Sequence, residues 1–390
     1  MLNYDNILNN TITDIQPSGI RKFFDIASTM SDVISLGVGE PDFETPWKIR
    51  NAAITSLENG KTRYSSNRGL EQLREEISKY MLRKYSLSYS PESEILVTVG
   101  GSEAIDAAIR SVVNSGDEVI IPQPSYVCYV PMVLMAGGKA VIVENKAEND
   151  FKLTAEELKE KLTSKTKAIV LPYPSNPTGA IMERKDYEEI EKVVCDTDII
   201  LISDEIYSEL TFNGKRHVSP ASVGNLRERT VVINGFSKSF SMTGWRLGYT
   251  CGPKEIIGQI TKLHQYAIMC APTTSQYAAI TALRDCDYDV EDMMEEYDMR
   301  RKLMVHGFNE IGLECREPEG AFYAFPSLKS TGMSSEEFCE KLLASKKVAI
   351  VPGTAFGACG EGFARASYCY STDHIKTALS RIGEFLNEIR

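Results

Sequence analysis

The sequence predicts an α/β protein with a large domain built on a mainly parallel sheet covered by helices. Six short, nearly continuous apolar runs follow one another, and helical patterns separate most of them. The runs are residues 95–99, 118–121, 140–143, 168–171, 199–202 and 231–233. Because parallel strands that are buried on both faces show such runs, we expect helices on both sides of the sheet.

The chain length and the pattern after residue 290 predict a second, smaller α+β domain. At 390 residues, the chain exceeds the usual size of one hydrophobic core. A long charged helix from about Glu291 to Ile311 precedes three strand candidates and a terminal helix. The candidates are residues 320–325, 348–351 and 364–368. We therefore predict a large α/β domain of residues 46–289 and a small domain that combines residues 1–45 with residues 290–390.

The first part of the chain predicts an irregular arm followed by two helices. Residues 1–45 show no regular period and end in a glycine-containing turn that includes Gly39. Thr45-Pro46 predicts the start of a helix, and Asn59-Gly60 predicts its end. Leu73 and Ile77 then begin the apolar spacing of a second helix.

Composition indicates a small-molecule enzyme. The chain is 43% hydrophobic and 25% charged, which is ordinary for a globular protein, and its formal net charge is −11. This negative charge argues against nucleic acid or an anionic membrane as a partner. No apolar run approaches the ~18 residues of a membrane span, and the N-terminus lacks the pattern of a signal peptide. We therefore expect a cytoplasmic protein.

Cysteine and histidine usage predicts neither a metal site nor a disulfide framework. The nine cysteines are scattered singly, and no Cys-x-x-Cys pair occurs. None of the four histidines lies within five residues of another. This spacing does not fit a zinc site, and an odd cysteine count suits a reducing compartment.

A single lysine stands at the C-terminal end of a predicted buried strand. The run 231–233 breaks at Gly235 into a loop that contains Ser237 and Lys238, and Arg246 follows eight residues after the lysine. Open α/β sheets place their ligands at this end of the strands. A partly desolvated lysine there can form an imine with an aldehyde. A solvated loop lysine is the alternative interpretation of this segment taken alone.

Two glycines and a serine follow the first apolar run. Gly100 and Gly101 lead into a helix for which Ser102 is the predicted N-cap, and backbone N–H groups at such a start bind phosphate well. A purely structural cap is the alternative. No Gly-x-Gly-x-x-Gly follows a strand anywhere, which counts against a nicotinamide enzyme.

A proline-rich octet, residues 172–179, follows the fourth run. Its three prolines restrict the backbone so that the amide of Asn176 points in a fixed direction, as a hydrogen-bond donor to an aromatic oxygen would need. A proline-rich surface turn is the alternative interpretation.

A carboxylate and a tyrosine end the fifth run. Asp204 lies at the end of a predicted buried strand, and Tyr207 follows three residues later. A buried carboxylate needs a cationic or protonated partner, and a pyridinium nitrogen would be one. A helix-capping aspartate is the alternative here.

Together these motifs resemble class I aminotransferases of the pyridoxal-5′-phosphate fold-type I family over essentially the whole chain. They occur in the order Gly-Gly-Ser, Ser-Asn-Pro-Thr-Gly, Asp-Glu-x-Tyr, Ser-Lys-x-x-x-x-x-Gly-x-Arg and a late arginine. The resemblance implies pyridoxal 5′-phosphate as cofactor. It also implies transfer of the α-amino group between an L-amino acid and a 2-oxo acid such as 2-oxoglutarate.

The resemblance further implies a role for each cofactor contact. Lys238 would be the Schiff-base lysine and proton carrier, and Asp204 would pair with the pyridine nitrogen. Asn176 and Tyr207 would donate to the ring's phenolic oxygen, and Tyr126 would stack on the ring. The phosphate site would be lined by Gly101, Ser102, Glu103 through its backbone N–H, Ser237 and Arg246.

Substrate and subunit contacts follow from the same resemblance. Arg365, with Asn176 and the backbone near Gly39, would hold the substrate α-carboxylate. Tyr64 would reach the phosphate of the neighbouring subunit, which implies a homodimer with shared active sites.

Other functions stay open at this point. The nearest are an aspartate-specific aminotransferase and a lyase that performs β-elimination on the same scaffold, since such motifs hardly separate lyase from transferase. A cofactor-binding module of a transcription regulator would need an appended DNA-binding domain. A nicotinamide oxidoreductase lacks its glycine fingerprint.

The substrate side chain is predicted to be aromatic or long. In the dicarboxylate-specific branch of the resembled family, an arginine from the partner subunit reads the distal carboxylate, and it lies after the phosphate-site arginine. Here no arginine occurs between Arg246 and Arg284, and residues 264–272 are mostly apolar or amphipathic. Several aromatic residues stand near the motifs: Phe23, Phe24, Tyr126, Phe322, Tyr323 and Phe356. We expect most of these rings, Phe322 among them, to be ordinary core, and we expect the same of Phe325.

Overall fold

The computed structural model describes residues 2, 4, 7–17, 19–20 and 30–389. Its strands are β1 Ile34–Ser35, β2 Ile95–Thr98, β3 Glu118–Gln123, β4 Lys139–Glu144, β5 Thr166–Leu171, β6 Ile200–Asp204, β7 Thr230–Gly235, β8 Gly248–Cys251, β9 Tyr323–Ala324, β10 Val348–Ala349, β11 Val351–Pro352 and β12 Ala364–Ser367. Its α-helices are Asn10–Asp14, Trp47–Glu58, Glu71–Tyr85, Gly100–Val112, Tyr129–Met135, Ala155–Lys161, Arg184–Val194, Lys254–Ala267, Thr273–Asp285, Asp287–Glu310, Ser335–Lys346 and Thr372–Ile389.

A seven-stranded sheet forms the centre of the fold. Its strand order is β2-β8-β7-β6-β5-β3-β4. The neighbours from β7 to β4 are parallel, and β8 alone runs against both of its neighbours, β7 and β2. The predicted α/β fold with a mainly parallel sheet is therefore confirmed.

Apolar side chains cover both faces of this sheet. Val170 and Ile202 pack on one face with the helices Gly100–Val112 and Lys254–Ala267. Ile169 and Leu201 pack on the other face with helix Arg184–Val194. Successive strand residues point to opposite faces, so burial of both faces explains why the strands appear as continuous apolar runs.

The later part of the chain forms two small sheets. β1 pairs in parallel with β10, and β11, β12 and β9 form an antiparallel sheet. The predicted strand 348–351 is thus divided between two sheets at Ile350, and the candidate 320–325 shrinks to β9. These strands are too short for their alternation to be recognised in the sequence.

Two predicted boundaries need correction. The arm was predicted to be irregular, yet it contains the helix Asn10–Asp14, which the Asn9 side chain caps, and the strand β1. The long charged helix begins at Asp287 instead of Glu291, because Asp287 and Asp289 occupy its first turn, where acidic side chains are favourable. The predicted domain boundary at 289/290 falls inside this helix, and the division into two domains stays a prediction.

None of the helices in the described ranges is both long and apolar enough to span a membrane.

Candidate active site

The carboxyl ends of β6 and β7 open into a cleft of about 290 Å³. Asp204 is the last residue of β6, and Lys238 follows the end of β7 by three residues. The predicted site residues that line this cleft are Gly39, Gly101, Ser102, Tyr126, Asn176, Asp204, Tyr207, Ser237, Lys238, Arg246 and Arg365. Glu103 and Tyr64 do not line it. Parallel strands bring Asp204, Tyr207 and Lys238 together because these strands end at the same edge of the sheet. Gly39 and Arg365 come instead from the segment after β1 and from β12.

The Lys238 amine lies inside the cleft. Its Nζ donates a hydrogen bond to the Gly39 carbonyl oxygen at 2.6 Å. Burial lowers the pKa of the ammonium to about 8, while the nearby Glu40 carboxylate and Arg365 guanidinium act in opposite directions. A substantial fraction of this lysine is therefore an uncharged, nucleophilic amine near neutral pH.

Asp204 is a buried carboxylate. Its Oδ2 accepts from the Tyr129 hydroxyl at 2.7 Å, and its Oδ1 accepts from the Ile206 backbone N–H at 3.2 Å. Burial raises the pKa of Asp204, and both hydrogen bonds oppose that rise. No lysine, arginine or histidine in the described ranges forms an ion pair with it, so the carboxylate faces the cleft without a positive partner from those residues.

A phenol pair stands beside the lysine. The hydroxyls of Tyr207 and Tyr323 lie 2.8 Å apart. Burial raises the pKa of Tyr207 well above its ordinary value and that of Tyr323 to about 12. Both phenols therefore stay protonated and can donate hydrogen bonds.

Arg365 is held between two aromatic rings. Its guanidinium carbon lies 4.4 Å from the centroid of Tyr323 and 4.8 Å from that of Phe356. Its Nη1 donates to Asn176 Oδ1 at 2.9 Å, and its Nη2 donates to the Gly37 carbonyl at 2.5 Å. Its buried Nε has no partner within the described chain, so this donor remains for an anion.

The start of helix Gly100–Val112 forms one wall of the cleft. Gly100 has a φ of +76°, and a Cβ at this position would lie 2.8 Å from Arg246 Nη2. Arg246 therefore packs directly against the helix start, where free N–H groups attract anions. Ser102 was predicted as N-cap, but Val99 occupies that position and no side chain caps the helix. The helix begins three residues earlier than predicted, at Gly100, which places Ser102 in its first turn.

The two predicted residues outside the cleft have different environments. The Glu103 carboxylate contacts Val99 and His264: its Oε2 accepts from the Val99 N–H at 2.5 Å, and its Oε1 lies 2.6 Å from His264 Nδ1. Tyr64 is 81% exposed and borders a separate open concavity.

Sequence reasoning missed several groups of the site. Tyr129 was not predicted, although it follows Tyr126 at helical spacing, and Thr243 also lines the cleft. Tyr323 was noted only as a nearby ring, whereas it contacts both Tyr207 and Arg365. Phe322 and Phe325 are buried core residues as expected, and Phe356 is buried too. Phe23 and Phe24 lie outside the described residues.

No group of three or more His, Cys, Asp or Glu side chains in the described part of the chain could hold a metal ion. The cleft brings together the Lys238 amine, the buried Asp204 carboxylate, the Tyr207 and Tyr323 phenols and the Arg365 guanidinium.

Comparison with known proteins identifies the family. Residues 31–382 match the family described as aminotransferase class I and II. The chain is 51% identical to a putative aminotransferase, YugH, of Bacillus subtilis, over 98% of both chains. It is 46% identical to an aspartate aminotransferase of Pyrococcus abyssi, over 96% of this chain and 97% of that protein. The crystal structure of an aromatic aminotransferase from Pyrococcus horikoshii superposes with a TM-score of 0.90 at 43% identity, over 94% of this chain and 99% of that one.

These findings confirm the resemblance drawn from the motifs. Both sequence relatives are matched along nearly their full length, and the structural match covers 94% of this chain. The chain therefore belongs to the class I and II aminotransferase family and is an enzyme of the transaminase class.

Proposed function

We propose that the protein is a pyridoxal-5′-phosphate-dependent aminotransferase that moves the α-amino group from an aromatic or other L-amino acid to a 2-oxo acid such as 2-oxoglutarate. The observation that carries this proposal is the pairing, in one cleft, of a low-pKa amine on Lys238 with the buried Asp204, which has no positive partner in the described ranges. A cofactor with an aldehyde and a protonated ring nitrogen satisfies both groups.

The described residues fit the rest of that cofactor. Arg246 and the first turn beginning at Gly100 provide positive charge and free N–H groups for a phosphate, and Gly101, Ser102 and Ser237 line the same wall. In this proposal the backbone N–H of Glu103 also faces the phosphate. Tyr126 would stack on the ring.

The cofactor would supply an electron sink that stabilises the carbanion formed at the substrate α-carbon. The Asp204 carboxylate would keep the ring nitrogen protonated, and its hydrogen bond from Tyr129 keeps it oriented. Asn176 and Tyr207 would donate to the phenolic oxygen. The Lys238 amine would take the proton from the substrate α-carbon as general base and deliver it to the C4′ carbon of the cofactor as general acid, a role that suits a pKa of about 8.

Arg365 would bind the substrate α-carboxylate. Its unpartnered Nε and its fixed plane between Tyr323 and Phe356 favour a bidentate contact, with Asn176 and the backbone at Gly39 beside it.

The preference for aromatic or long side chains rests on the charges of the cleft. Its lining contains only three cationic side chains in the described chain, Lys238, Arg246 and Arg365, and each already has a role above. The lining also contains Ile20 and Tyr323, which suit an apolar or aromatic group. Among the residues that the structure describes, no further arginine lines the cleft to bind a distal carboxylate in a rigid bidentate contact.

We further propose a homodimer in which the exposed Tyr64 reaches the phosphate of the neighbouring subunit. The domain limits of 46–289, with 1–45 and 290–390, and the cytoplasmic location stay predictions from the sequence.

Cofactor attachment is tested on purified protein with borohydride. We expect reduction to fix the cofactor covalently on Lys238. Lys238→Ala should lose turnover by several orders of magnitude while it still binds the cofactor through the phosphate site. Substantial turnover by this variant would contradict the proposal.

Substrate preference is tested by comparing kcat/KM for phenylalanine, tyrosine, aspartate and alanine with 2-oxoglutarate as acceptor. We expect the aromatic donors to lead. An advantage of aspartate over the aromatic donors above about tenfold, which is about 1.4 kcal/mol of transition-state discrimination, would instead indicate an aspartate enzyme. Release of pyruvate and ammonia without added oxo acid would indicate a lyase.

A further inference from the structure

A buried histidine holds the one acidic side chain in the first turn of the proposed phosphate-binding helix. Glu103 is the acidic residue of that turn. Its Oε1 lies 2.6 Å from Nδ1 of His264, and its Oε2 accepts from the backbone N–H of Val99 at 2.5 Å. Since an ionised carboxylate only accepts hydrogen bonds, the imidazole must carry a proton on Nδ1. Both carboxylate oxygens are thereby occupied on the side away from the cleft.

This arrangement prevents the Glu103 carboxylate from competing with a phosphate for the same N–H groups. The N–H groups at the start of helix Gly100–Val112 attract any anion, whether it is a cofactor phosphate or the neighbouring Glu103 carboxylate. The Glu103 side chain is only 15% exposed, so without its present partners the carboxylate would accept hydrogen bonds from the nearest free donors. Gly101 and Ser102, which line the cleft, belong to the same first turn, where N–H groups have no acceptor within the helix.

His264 has no other partner that would explain its burial. Its side chain is fully buried, and its Nε2 has no hydrogen-bond partner in the described chain. The residue lies near the end of helix Lys254–Ala267, which packs against helix Gly100–Val112. Its carbonyl accepts from the N–H groups of Ile268 and Met269, and these backbone contacts do not depend on the ring.

We propose that His264 is a positioning residue for the cofactor phosphate: by holding the Glu103 carboxylate on the Val99 N–H, it keeps this carboxylate off the N–H groups of Gly101 and Ser102. The inference rests on the proposed function, because it needs a phosphorylated cofactor. It predicts that loss of the Nδ1 donor weakens binding of the phosphate specifically, and that removal of the Glu103 charge reverses this loss.

The test compares cofactor affinity with and without the phosphate. Apoenzyme of the wild type and of each variant is titrated with pyridoxal 5′-phosphate and with pyridoxal, and the ratio of the two Kd values reports the phosphate contribution. His264→Leu removes the donor, and Glu103→Gln/His264→Leu also removes the charge. His264→Asn is the matched control, since its amide nitrogen lies where Nδ1 was. Circular dichroism and Tm verify folding.

We expect His264→Leu to raise the Kd for pyridoxal 5′-phosphate at least about tenfold while the Kd for pyridoxal changes less than about twofold. His264→Asn and the double variant should keep a ratio close to that of the wild type. If His264→Leu does not fold, His264→Gln carries the same expectation, because its amide reaches the Nε2 position and leaves Nδ1 unreplaced.

Two results would overturn the inference. One is an equal loss of affinity for both compounds, which marks a general structural effect. The other is a double variant that binds as weakly as His264→Leu. If the wild type binds neither compound, the proposed function and the inference are both refuted. If the wild type binds pyridoxal 5′-phosphate, the variants test the role of His264 alone.

Discussion

Titration of the Lys238 amine is the most direct test of the active-site electrostatics. Burial lowers the pKa of Lys238 from 10.5 to about 8. The change corresponds to about 3 kcal/mol by which the cleft disfavours the ammonium relative to water. At pH 7.5 about a quarter of the Lys238 amines are uncharged, compared with about 0.1% for a lysine of ordinary pKa. Raising the pH of the apoenzyme should therefore activate Lys238 well before any exposed lysine.

Competitive labelling measures this pKa residue by residue. Apoenzyme is exposed to trace acetic anhydride between pH 6 and 11, and mass spectrometry gives the labelling rate of each lysine. The rate for Lys238 should rise with a midpoint near 8. Exposed lysines such as Lys376 serve as internal standards. Access to the cleft changes the height of the curve but leaves its midpoint unchanged, so a Lys238 midpoint above about 10 would refute the burial argument.

The same shift predicts how stability depends on pH. The unfolded chain holds the Lys238 proton up to about pH 10.5, whereas the folded apoenzyme releases it near pH 8. Between these values the unfolded state binds more protons, so this group makes the folded state more stable as the pH rises, by up to about 3 kcal/mol. Below pH 8 the full cost of the buried ammonium is present. Lys238→Met should remove this contribution to the pH dependence of urea unfolding.

Three further substitutions test other parts of the structure. Asp204→Asn keeps the shape but removes the charge, so single-turnover proton abstraction should slow far more than cofactor binding weakens; unchanged rates would contradict the role of Asp204. Tyr129→Phe removes the donor to that carboxylate and should slow the same step about tenfold, whereas Tyr187→Phe, which deletes a buried hydroxyl with no partner in the described chain, should not. Arg301 is fully buried and bonded to four residues, so Arg301→Met should lower the free energy of unfolding by about 3–5 kcal/mol. Lys302→Met, which removes an exposed partner of the same Asp298, should cost less than about 1 kcal/mol in the same urea titration, and equal losses would contradict the argument.

The sequence by itself determined six of the seven strands of the central sheet and most of the cleft, but it missed β8, the antiparallel strand between β2 and β7. Strands that are buried on both faces need continuous apolar runs, so β2, β3, β5, β6 and β7 could be recognised from their apolar runs, and the edge strand β4 from its shorter apolar centre. Parallel strands end at one edge, which brings residues such as Asp204 and Lys238 together whatever the rest of the fold does. The prolines and glycines of the motifs restrict the backbone locally, and for that reason Asn176 and Gly101 were also found.

The tertiary structure decided the contacts that join distant segments. Tyr129 bonds Asp204 across 75 residues, His264 meets Glu103 across 161, and Lys238 reaches the Gly39 carbonyl across 199. No local period signals such pairs, because they depend on how helices pack on the sheet and on where loops end. The two-residue strands of the small sheets were missed or misplaced for a related reason, since each is formed by pairing with a partner far along the chain. Local sequence thus fixed the chemical groups at the sheet edge, and long-range packing fixed their protonation and orientation.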